Sequence, residues 1–306
     1  MRIAINASSE LLYADLGRLR EHAAKAGEDG FSGWWLAQTG LIDALTAFAA
    51  LGDVSPGLEF GTAVVPTYPR HPSALAGQAL TTAAALGDRP FVLGIGLSHR
   101  PVIEDRLGMS FEKPLRHLRD HLSILLPLLE AGRVDHDGEA LTAHVEWARP
   151  DVRKPSVMVA ALGEQVLRVT GSRTDGTILW MVGERTVADH IVPRLSEAAS
   201  AAGRPDPRIV CSLPTCVTND AEAVRTAADA VFEIYGQLPS YRAMLDREGV
   251  AGPGDVAVIG TEEEVASRLS VMAAAGVTDF AALEFGTNPE EMSATRALLE
   301  DLAADA

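Results

Sequence analysis

The sequence is poor in cysteine and in basic residues, and both shortages exclude classes of protein. It has two cysteines, Cys211 and Cys216, in 306 residues. Two thiols five positions apart make neither a disulfide framework nor a CxxC motif, which favours reduced core thiols in a cytoplasmic protein. Lysine and arginine number 26 against 42 acidic residues, for a formal charge of −16. This balance argues against binding nucleic acid or anionic membranes, which proteins contact through basic patches.

Long apolar runs are also missing, although 47% of the residues are hydrophobic. No stretch approaches about eighteen apolar residues without a charge, so no membrane span is predicted. The N-terminus, MRIAINASSE, has no basic segment followed by an apolar one, which predicts no signal peptide. No Pro-, Gly- or Ser-rich linker divides the chain. We therefore expect a single domain over residues 1–306.

Short apolar runs alternate with longer amphipathic ones. Helical spacing follows each short run, for example from about Ser9 to Glu28. Eight strands joined by helical crossovers form a parallel sheet, and closure into a (β/α)8 TIM barrel is the simplest topology at this length. The predicted fold class is thus α/β, a TIM barrel with insertions. The eight predicted strands are Arg2–Asn6, Phe31–Leu36, Leu58–Val65, Phe91–Ile95, Ser156–Ala160, Gly176–Trp180, Ile209–Thr215 and Thr278–Leu283.

Two segments interrupt the alternation of strands and helices, and they predict insertions. VDHDGEALTA places Asp137-Gly138 between apolar positions, which indicates a hairpin. The stretch from Gly236 to Gly254 is expected to lie over one end of the barrel. Because barrel chemistry takes place at the C-terminal ends of the strands, candidate site residues are sought there.

The predicted strand ends carry amides, hydroxyls, glycines, tryptophans and one well-placed histidine, His99. No His, Cys, Asp and Glu cluster at metal-ligand spacing, so no metal site is predicted. His117 and His121 are four residues apart but lack an evident third ligand, and we interpret them as a solvated or groove-lining helix face. Trp34 and Trp35 are adjacent on a strand, so one faces the barrel interior and the other packs under a helix. Aromatic and small residues with backbone amides suit a flat organic cofactor.

Four segments carry a family resemblance: GTAVVPTYPRHPSALAGQALT, FVLGIGLSHRPVIED, PSVMVAALGEQVLRVTGSRTDGTILWMVG and GVTDFAALEFGTNPEE. In this order, and over nearly the whole chain, they resemble the F420-dependent branch of the luciferase-like monooxygenase superfamily. The resemblance implies a bacterial luciferase-like barrel, a deazaflavin cofactor (coenzyme F420) or alternatively FMN, and a small-molecule substrate. Homodimers are common in the superfamily.

The resemblance also implies a cofactor site at the strand ends. In this family the third strand carries a non-prolyl cis peptide that supports the cofactor ring, and it maps onto Ala63-Val64. Backbone N–H groups at Ala161-Leu162-Gly163, where a helix begins, would hold the tail phosphate, because helix N-termini attract anions. Leu162 replaces a glycine that is common in the family. Further candidates for the tail are Thr67, Arg70 and Ser98, although Arg70 and its neighbour His71 also suit an ordinary helix start.

Catalytic residues are implied in the same way, with departures. The family's Asp-His pair after strand two falls on Ala37-Gln38, and the catalytic Glu of its sugar-phosphate dehydrogenases falls on His99. Their phosphate-binding Lys after strand six is replaced by Trp180-Met181-Val182, which favours an apolar or aromatic substrate. His99 is expected to donate or accept a proton, since it titrates near neutral pH. Gln38 and Asn6 would orient the substrate, and Trp35, Trp180 and the Gly236–Gly254 insertion would exclude water.

Three functions stay open at this point. The favoured one is an F420-dependent oxidoreductase that transfers a hydride between the deazaflavin C5 and a small organic substrate. The second is an FMN-dependent monooxygenase on the same barrel. The departures at Ala37, Gln38 and Leu162 leave room for a third, a non-catalytic cofactor-binding barrel.

Overall fold

The strands follow the predicted order along the chain. A computed structural model describes residues 1–305. Its strands are β1 (Arg2–Asn6), β2 (Gly33–Leu36), β3 (Glu59–Thr62), β4 (Val65–Pro66), β5 (Phe91–Gly96), β6 (Arg133–Asp137), β7 (Thr142–Glu146), β8 (Ser156–Val159), β9 (Gly176–Trp180), β10 (Arg208–Ser212), β11 (Pro214–Val217), β12 (Val258–Gly260) and β13 (Asp279–Glu284).

Helices separate these strands, and several begin at side chains that accept their first free N–H groups. Asp15 accepts from Gly17 N and Arg18 N. None of the helices in residues 1–305 is long and apolar enough to span a bilayer. The helices are α1 (Leu16–Glu28), α2 (Ala44–Ala50), α3 (Pro72–Leu86), α4 (Pro114–Ala131), α5 (Glu164–Arg173), α6 (Glu184–Thr186), α7 (Val192–Ala201), α8 (Ala221–Val231), α9 (Glu233–Gln237), α10 (Pro239–Glu248), α11 (Pro253–Val256), α12 (Glu262–Ala274) and α13 (Pro289–Ala304).

Eight parallel strands close into a barrel. Their order is β1-β2-β3-β5-β8-β9-β10-β13, and β13 pairs back onto β1 with Ile3 opposite Phe280. Each crossover carries at least one helix on the outside, as a parallel sheet requires. The predicted α/β TIM barrel is therefore confirmed.

The two faces of the barrel wall separate adjacent side chains. Trp35 belongs to the interior cluster with Val92, Met158 and Ile178, whereas Trp34 packs in the outer core under the helices. Both indoles are fully buried. The prediction that the two tryptophans point to opposite faces is confirmed.

Both predicted insertions are present. Residues 133–137 and 142–146 form the antiparallel β6–β7 hairpin, with Asp137 opposite Thr142. Asp120 of α4 anchors it by accepting from Ala140 N at 2.7 Å. The Gly236–Gly254 stretch contains α10, which packs against α6 just after β9, and thus lies at the C-terminal end of the barrel.

Three predicted boundaries were wrong. The helix expected from Ser9 to Glu28 is a 3-10 turn over Ser8–Tyr13 followed by α1, because Asp15 caps a new start. The third predicted strand is interrupted at Ala63-Val64, between β3 and β4. The seventh is interrupted at Leu213, between β10 and β11, and the short strand β12 was not predicted.

Strand seven changes one of its neighbours at this interruption. β10 lies between β9 and β13, whereas β11 keeps β13 and pairs with β12 on its other side. A small separate core supports this arrangement, with Cys216, Val224, Ala228, Ala257 and Ile259 buried together. We call residues 213–260, with this core, the annex. It places α8, α9 and α10 beside the mouth of the barrel.

An ion-pair network closes the opposite end of the barrel. Arg208 Nη2 lies 2.9 Å from both Glu59 Oε1 and Asp279 Oδ1. Arg2 of β1 bonds the same two carboxylates. Glu59 and Asp279 are buried, so this network satisfies two charges inside the barrel base.

Candidate functional site

The candidate site lies where the parallel strands end, and a polar contact links two of its strands there. The Asn6 Nδ2 donates to Ser212 Oγ at 2.8 Å, joining the ends of β1 and β10. The Asn6 Oδ1 accepts from Ser8 N at 3.1 Å and from the Ser8 hydroxyl. Asn6, a predicted substrate contact, is therefore buried and bonded at both polar atoms.

Small residues line the mouth beside strand three. The peptide bond between Ala63 and Val64 is cis, as the resemblance implied. Both residues are half-buried and pack on the interior cluster. Gly96 at the end of β5 faces them, since a Cβ there would lie 2.7 Å from Val64 Cγ2 and 3.3 Å from Ala160 Cβ. This wall is smooth and apolar.

Gln38 bonds its own loop. Its Oε1 accepts from Ala44 N at 2.8 Å, and its Nε2 donates to the carbonyls of Gly40 and Ile42 at 3.1 and 3.3 Å. The backbone N–H of Gln38 also donates to the Val64 carbonyl at 3.2 Å. The side chain thus shapes the loop after β2 and the start of α2.

His99 has free ring nitrogens. It follows β5, is half-buried, and forms no side-chain hydrogen bond with any residue in 1–305. Burial lowers the pKa of His99, so its imidazole is neutral at pH 7. A neutral imidazole with an unengaged nitrogen can accept a proton from a substrate. Ser98 before it has a φ of 62°, in the left-handed region.

Aromatic side chains from the annex cover this part of the mouth. Tyr241 of α10 lies with its ring centroid 5.5 Å from that of His99, and Tyr235 lies 4.9 Å from Tyr241. Trp180 at the end of β9 contacts Phe232 and Tyr235 at 5.6 and 5.8 Å. The sequence predicted that the Gly236–Gly254 stretch helps to exclude water, but it did not single out Phe232, Tyr235 or Tyr241. Their only signal was their position in and just before the Gly236–Gly254 stretch.

The start of α5 is open. Gly163 occupies its capping position, no side chain caps the first N–H groups, and the space where a Gly163 Cβ would point is empty. Leu162 is held from behind, because His190 Nε2 lies 2.7 Å from its carbonyl oxygen. Ala161 is buried. This helix start has free N–H groups and room for an anion.

Two other predicted tail residues are bonded within the protein. Thr67 is buried, and its hydroxyl lies 3.1 Å from His117 Nε2. Arg70 pairs with Asp43 and donates to Gln78 Oε1 at 3.2 Å. Nothing else engages the Thr67 hydroxyl among the described residues, whereas both terminal nitrogens of Arg70 are used.

The two helix histidines are buried, so the solvated alternative was wrong. His117 stacks on Tyr68 with ring centroids 3.9 Å apart, and His121 is fully enclosed. Burial, with the charge of His117 as a smaller cause, lowers the pKa of His121 to about 3. Within residues 1–305, no three His, Cys, Asp or Glu side chains are grouped so as to hold a metal ion.

The chain matches a known protein family over most of its length. The family described as luciferase-like monooxygenase matches residues 1–279. The chain belongs to the luciferase-like monooxygenase family. Membership makes the chain an oxidoreductase, and the predicted family is confirmed.

Proteins that are similar to this member of the luciferase-like monooxygenase family differ in the cofactor they use. A 5,10-methylenetetrahydromethanopterin reductase of Methanolobus tindarius is 22% identical over 90% of this chain and 92% of its own length. The solved coenzyme F420-dependent tetrahydromethanopterin reductase of Methanopyrus kandleri is 16% identical, with a TM-score of 0.79 over 99% of this chain and 98% of that one. A type II Baeyer-Villiger monooxygenase of Pseudomonas putida, solved with FMN, is 14% identical, with a TM-score of 0.77 over 100% and 98%. These two structures show the shared fold.

Proposed function

We propose that this enzyme is a coenzyme F420-dependent oxidoreductase that transfers a hydride between the deazaflavin C5 and a small apolar or aromatic substrate. The observation that carries the proposal is the mouth of the barrel. It combines a smooth wall at Ala63, Val64 and Gly96, an uncapped helix start at Gly163, and the free imidazole of His99.

The residues present fit a flat cofactor with a phosphate on its tail. Ala63 and Val64 offer an apolar surface for a planar ring, since small side chains leave room above them. The N–H groups that begin α5 would receive the phosphate, and the helix dipole adds to their attraction. Thr67 remains a candidate for the tail, while Arg70, already paired with Asp43, becomes a weaker one. A bound deazaflavin supplies two-electron hydride chemistry at C5.

His99 would exchange the proton that accompanies the hydride. Because burial lowers its pKa, it is a base at neutral pH and can take the proton of a substrate hydroxyl while the carbon loses a hydride. The reverse reduction would draw the same proton from His99 at lower pH. Gln38 and Asn6 are bonded within the protein, so we assign them to positioning the loops that surround the substrate.

The cover predicts the substrate class. Tyr241 contacts His99, Tyr235 packs against Tyr241, and Trp180 packs against Tyr235. No lysine stands after β9 to hold a phosphate. Aromatic and aliphatic groups gain most from such a surface, because it removes their area from water. A secondary alcohol or ketone with an apolar substituent fits both the cover and a neutral base.

Cofactor titration tests this function. The purified protein is titrated with F420 and with FMN, following absorbance and fluorescence, and then assayed for oxygen uptake with NAD(P)H. We expect micromolar or tighter binding of F420 and weak binding of FMN. Tight FMN binding with NAD(P)H-driven oxygen uptake would instead establish the FMN-dependent monooxygenase. Binding of neither cofactor at micromolar concentration would overturn the F420 assignment.

A further inference from the structure

A cleft on the outer surface of the barrel collects positive charge. It lies between α4 and α5, has a volume of about 720 Å³, and is open to solvent. Both helices contribute polar side chains to it, and these are Arg119, Ser123, Gln165, Arg168, Ser172 and Arg173. Three guanidinium groups therefore line one groove of a chain whose net charge is −16.

Two of these arginines face no carboxylate. Arg173 donates from Nη1 to the Arg119 carbonyl and from Nη2 to Ser123 Oγ, both at 3.1 Å, and both acceptors are neutral. Within residues 1–305, neither Arg119 nor Arg173 has an acidic oxygen within 4.0 Å, whereas Arg168 pairs with Glu164. Burial lowers the pKa of Arg173, and the charge of Arg119 lowers it further. The two cations therefore repel each other across the cleft.

Three other half-buried arginines of the chain, Arg208, Arg268 and Arg296, each contact at least one carboxylate. Arg149 and Arg194 lack a carboxylate partner, as Arg173 does, but each donates to backbone carbonyls and neither lies beside a second unpaired arginine in this cleft. Holding two guanidiniums together without an anion is unfavourable, and a bound anion would relieve it through charge-assisted hydrogen bonds. Ser123, Ser172 and Gln165 add neutral donors to the same groove.

The cleft starts beside the candidate cofactor site. Gln165 is the second residue of α5, directly after the open start at Gly163, and Arg168 lies one turn further. At about 1.5 Å per residue, the ten residues of α5 place Arg173 roughly 13 Å along the groove. A ligand that extends over several anionic groups fits this length better than a single small ion.

We propose that the α4–α5 cleft binds a polyanion built of carboxylate or phosphate groups. Two sources supply that chemistry. One is the acidic tail of F420, in which glutamate residues follow the phosphate; this source rests on the proposed function. The other is a free polyanion that acts independently of the cofactor.

Charge reversal at Arg119 tests the site, because its side chain is exposed and forms no ion pair with the described residues. Binding to wild type, Arg119→Glu and Arg20→Glu is measured by isothermal titration calorimetry at low ionic strength. Arg20→Glu makes the same charge change on α1, where Arg20 pairs with Asp53. The probes are F420, its tail-less deazaflavin ring precursor, a γ-linked triglutamate and inorganic tripolyphosphate. Thermal unfolding confirms that both variants remain folded.

We expect Arg119→Glu to bind F420 at least about tenfold more weakly, with the tail-less ring and the Arg20→Glu control unchanged. Loss of triglutamate or tripolyphosphate binding alone, with F420 unaffected, supports the free-polyanion source. If neither deazaflavin binds wild type, the proposed function fails, and the two free anions still decide on the cleft. If Arg119→Glu loses affinity for F420 and for the tail-less ring equally, the proposal is overturned. It is also overturned if wild type binds none of the anions.

Discussion

Replacing Arg208 with methionine tests whether the ion-pair network at the barrel base stabilises the fold through charge. Arg208 contacts Glu59 and Asp279, whose side chains are 8% and 3% exposed. Removing one partner of a buried ion pair costs about 3–5 kcal/mol. Arg2 stays bonded to both carboxylates, but its side chain is 43% exposed, so it compensates only in part. We expect the free energy of unfolding to fall by about 3 kcal/mol.

The pH dependence separates charge from packing. Desolvation raises the pKa of Asp279, but Arg208, Thr278 and Arg2 together hold it below its usual range. A carboxylate of this kind stabilises the fold above its unfolded pKa, and that contribution is lost as the pH falls through the folded pKa. In Arg208→Met the desolvation is less opposed, and we expect the pKa of Asp279 to rise above its unfolded value of about 4. The variant then loses stability as the pH rises from that unfolded value to the new folded pKa.

Urea unfolding followed by tryptophan fluorescence between pH 4 and pH 8 measures the free energy of unfolding of both proteins. The difference in this free energy between wild type and Arg208→Met should increase with pH and then level off. A gap that stays constant over this range would show that the methionine disturbs packing alone, and a loss below about 1 kcal/mol would show that Arg2 suffices. Arg20→Met, which breaks a surface pair with Asp53, serves as the control and should change stability by less than about 1 kcal/mol.

Three further predictions concern the mouth of the barrel. His99→Gln should lower kcat by about 10²-fold or more. It should also abolish the acid limb of the pH–rate profile, which lies below pH 6.5 in wild type because burial lowers the pKa of His99. The same acid limb in both proteins would show that His99 takes no part in the reaction. Gly163→Asp should add a few tenths of a kcal/mol by capping α5 but weaken binding of a phosphate-bearing cofactor, with a phosphate-free ring unaffected; calorimetry showing equal weakening for both ligands would contradict a phosphate at this helix start. Tyr241→Ala should raise KM for aromatic substrates several-fold while Tyr241→Phe stays near wild type, since the ring packs beside His99 with centroids 5.5 Å apart. A KM for Tyr241→Phe as high as that for Tyr241→Ala would show that the hydroxyl matters instead.

The barrel could be predicted because its strands are short and apolar and its helices are amphipathic. Trp34 and Trp35 illustrate this, since adjacent positions on a strand must face opposite sides of the wall. The β6–β7 hairpin was equally predictable, because Asp137-Gly138 suits a tight turn. Such features depend on local pattern and turn chemistry alone.

The site was predictable only in outline. The sequence places Asn6 and Thr67 at strand ends but does not show their partners, Ser212 and His117, which lie far along the chain. Those contacts engage polar groups that a strand-end pattern presents as free. The aromatic cover escaped prediction because its members meet through tertiary packing and share no spacing.

The interruption of strand seven at Leu213 has a consequence for how this enzyme can diversify. Beyond it, the chain leaves the barrel wall for the annex, which has its own buried core and carries Phe232, Tyr235 and Tyr241. Under the proposed function, changes of substrate range can accumulate in this one contiguous segment while the barrel mouth proposed to hold the cofactor stays constant. Substitutions that alter substrate choice can then fall within residues 213–260 and leave the barrel wall unchanged.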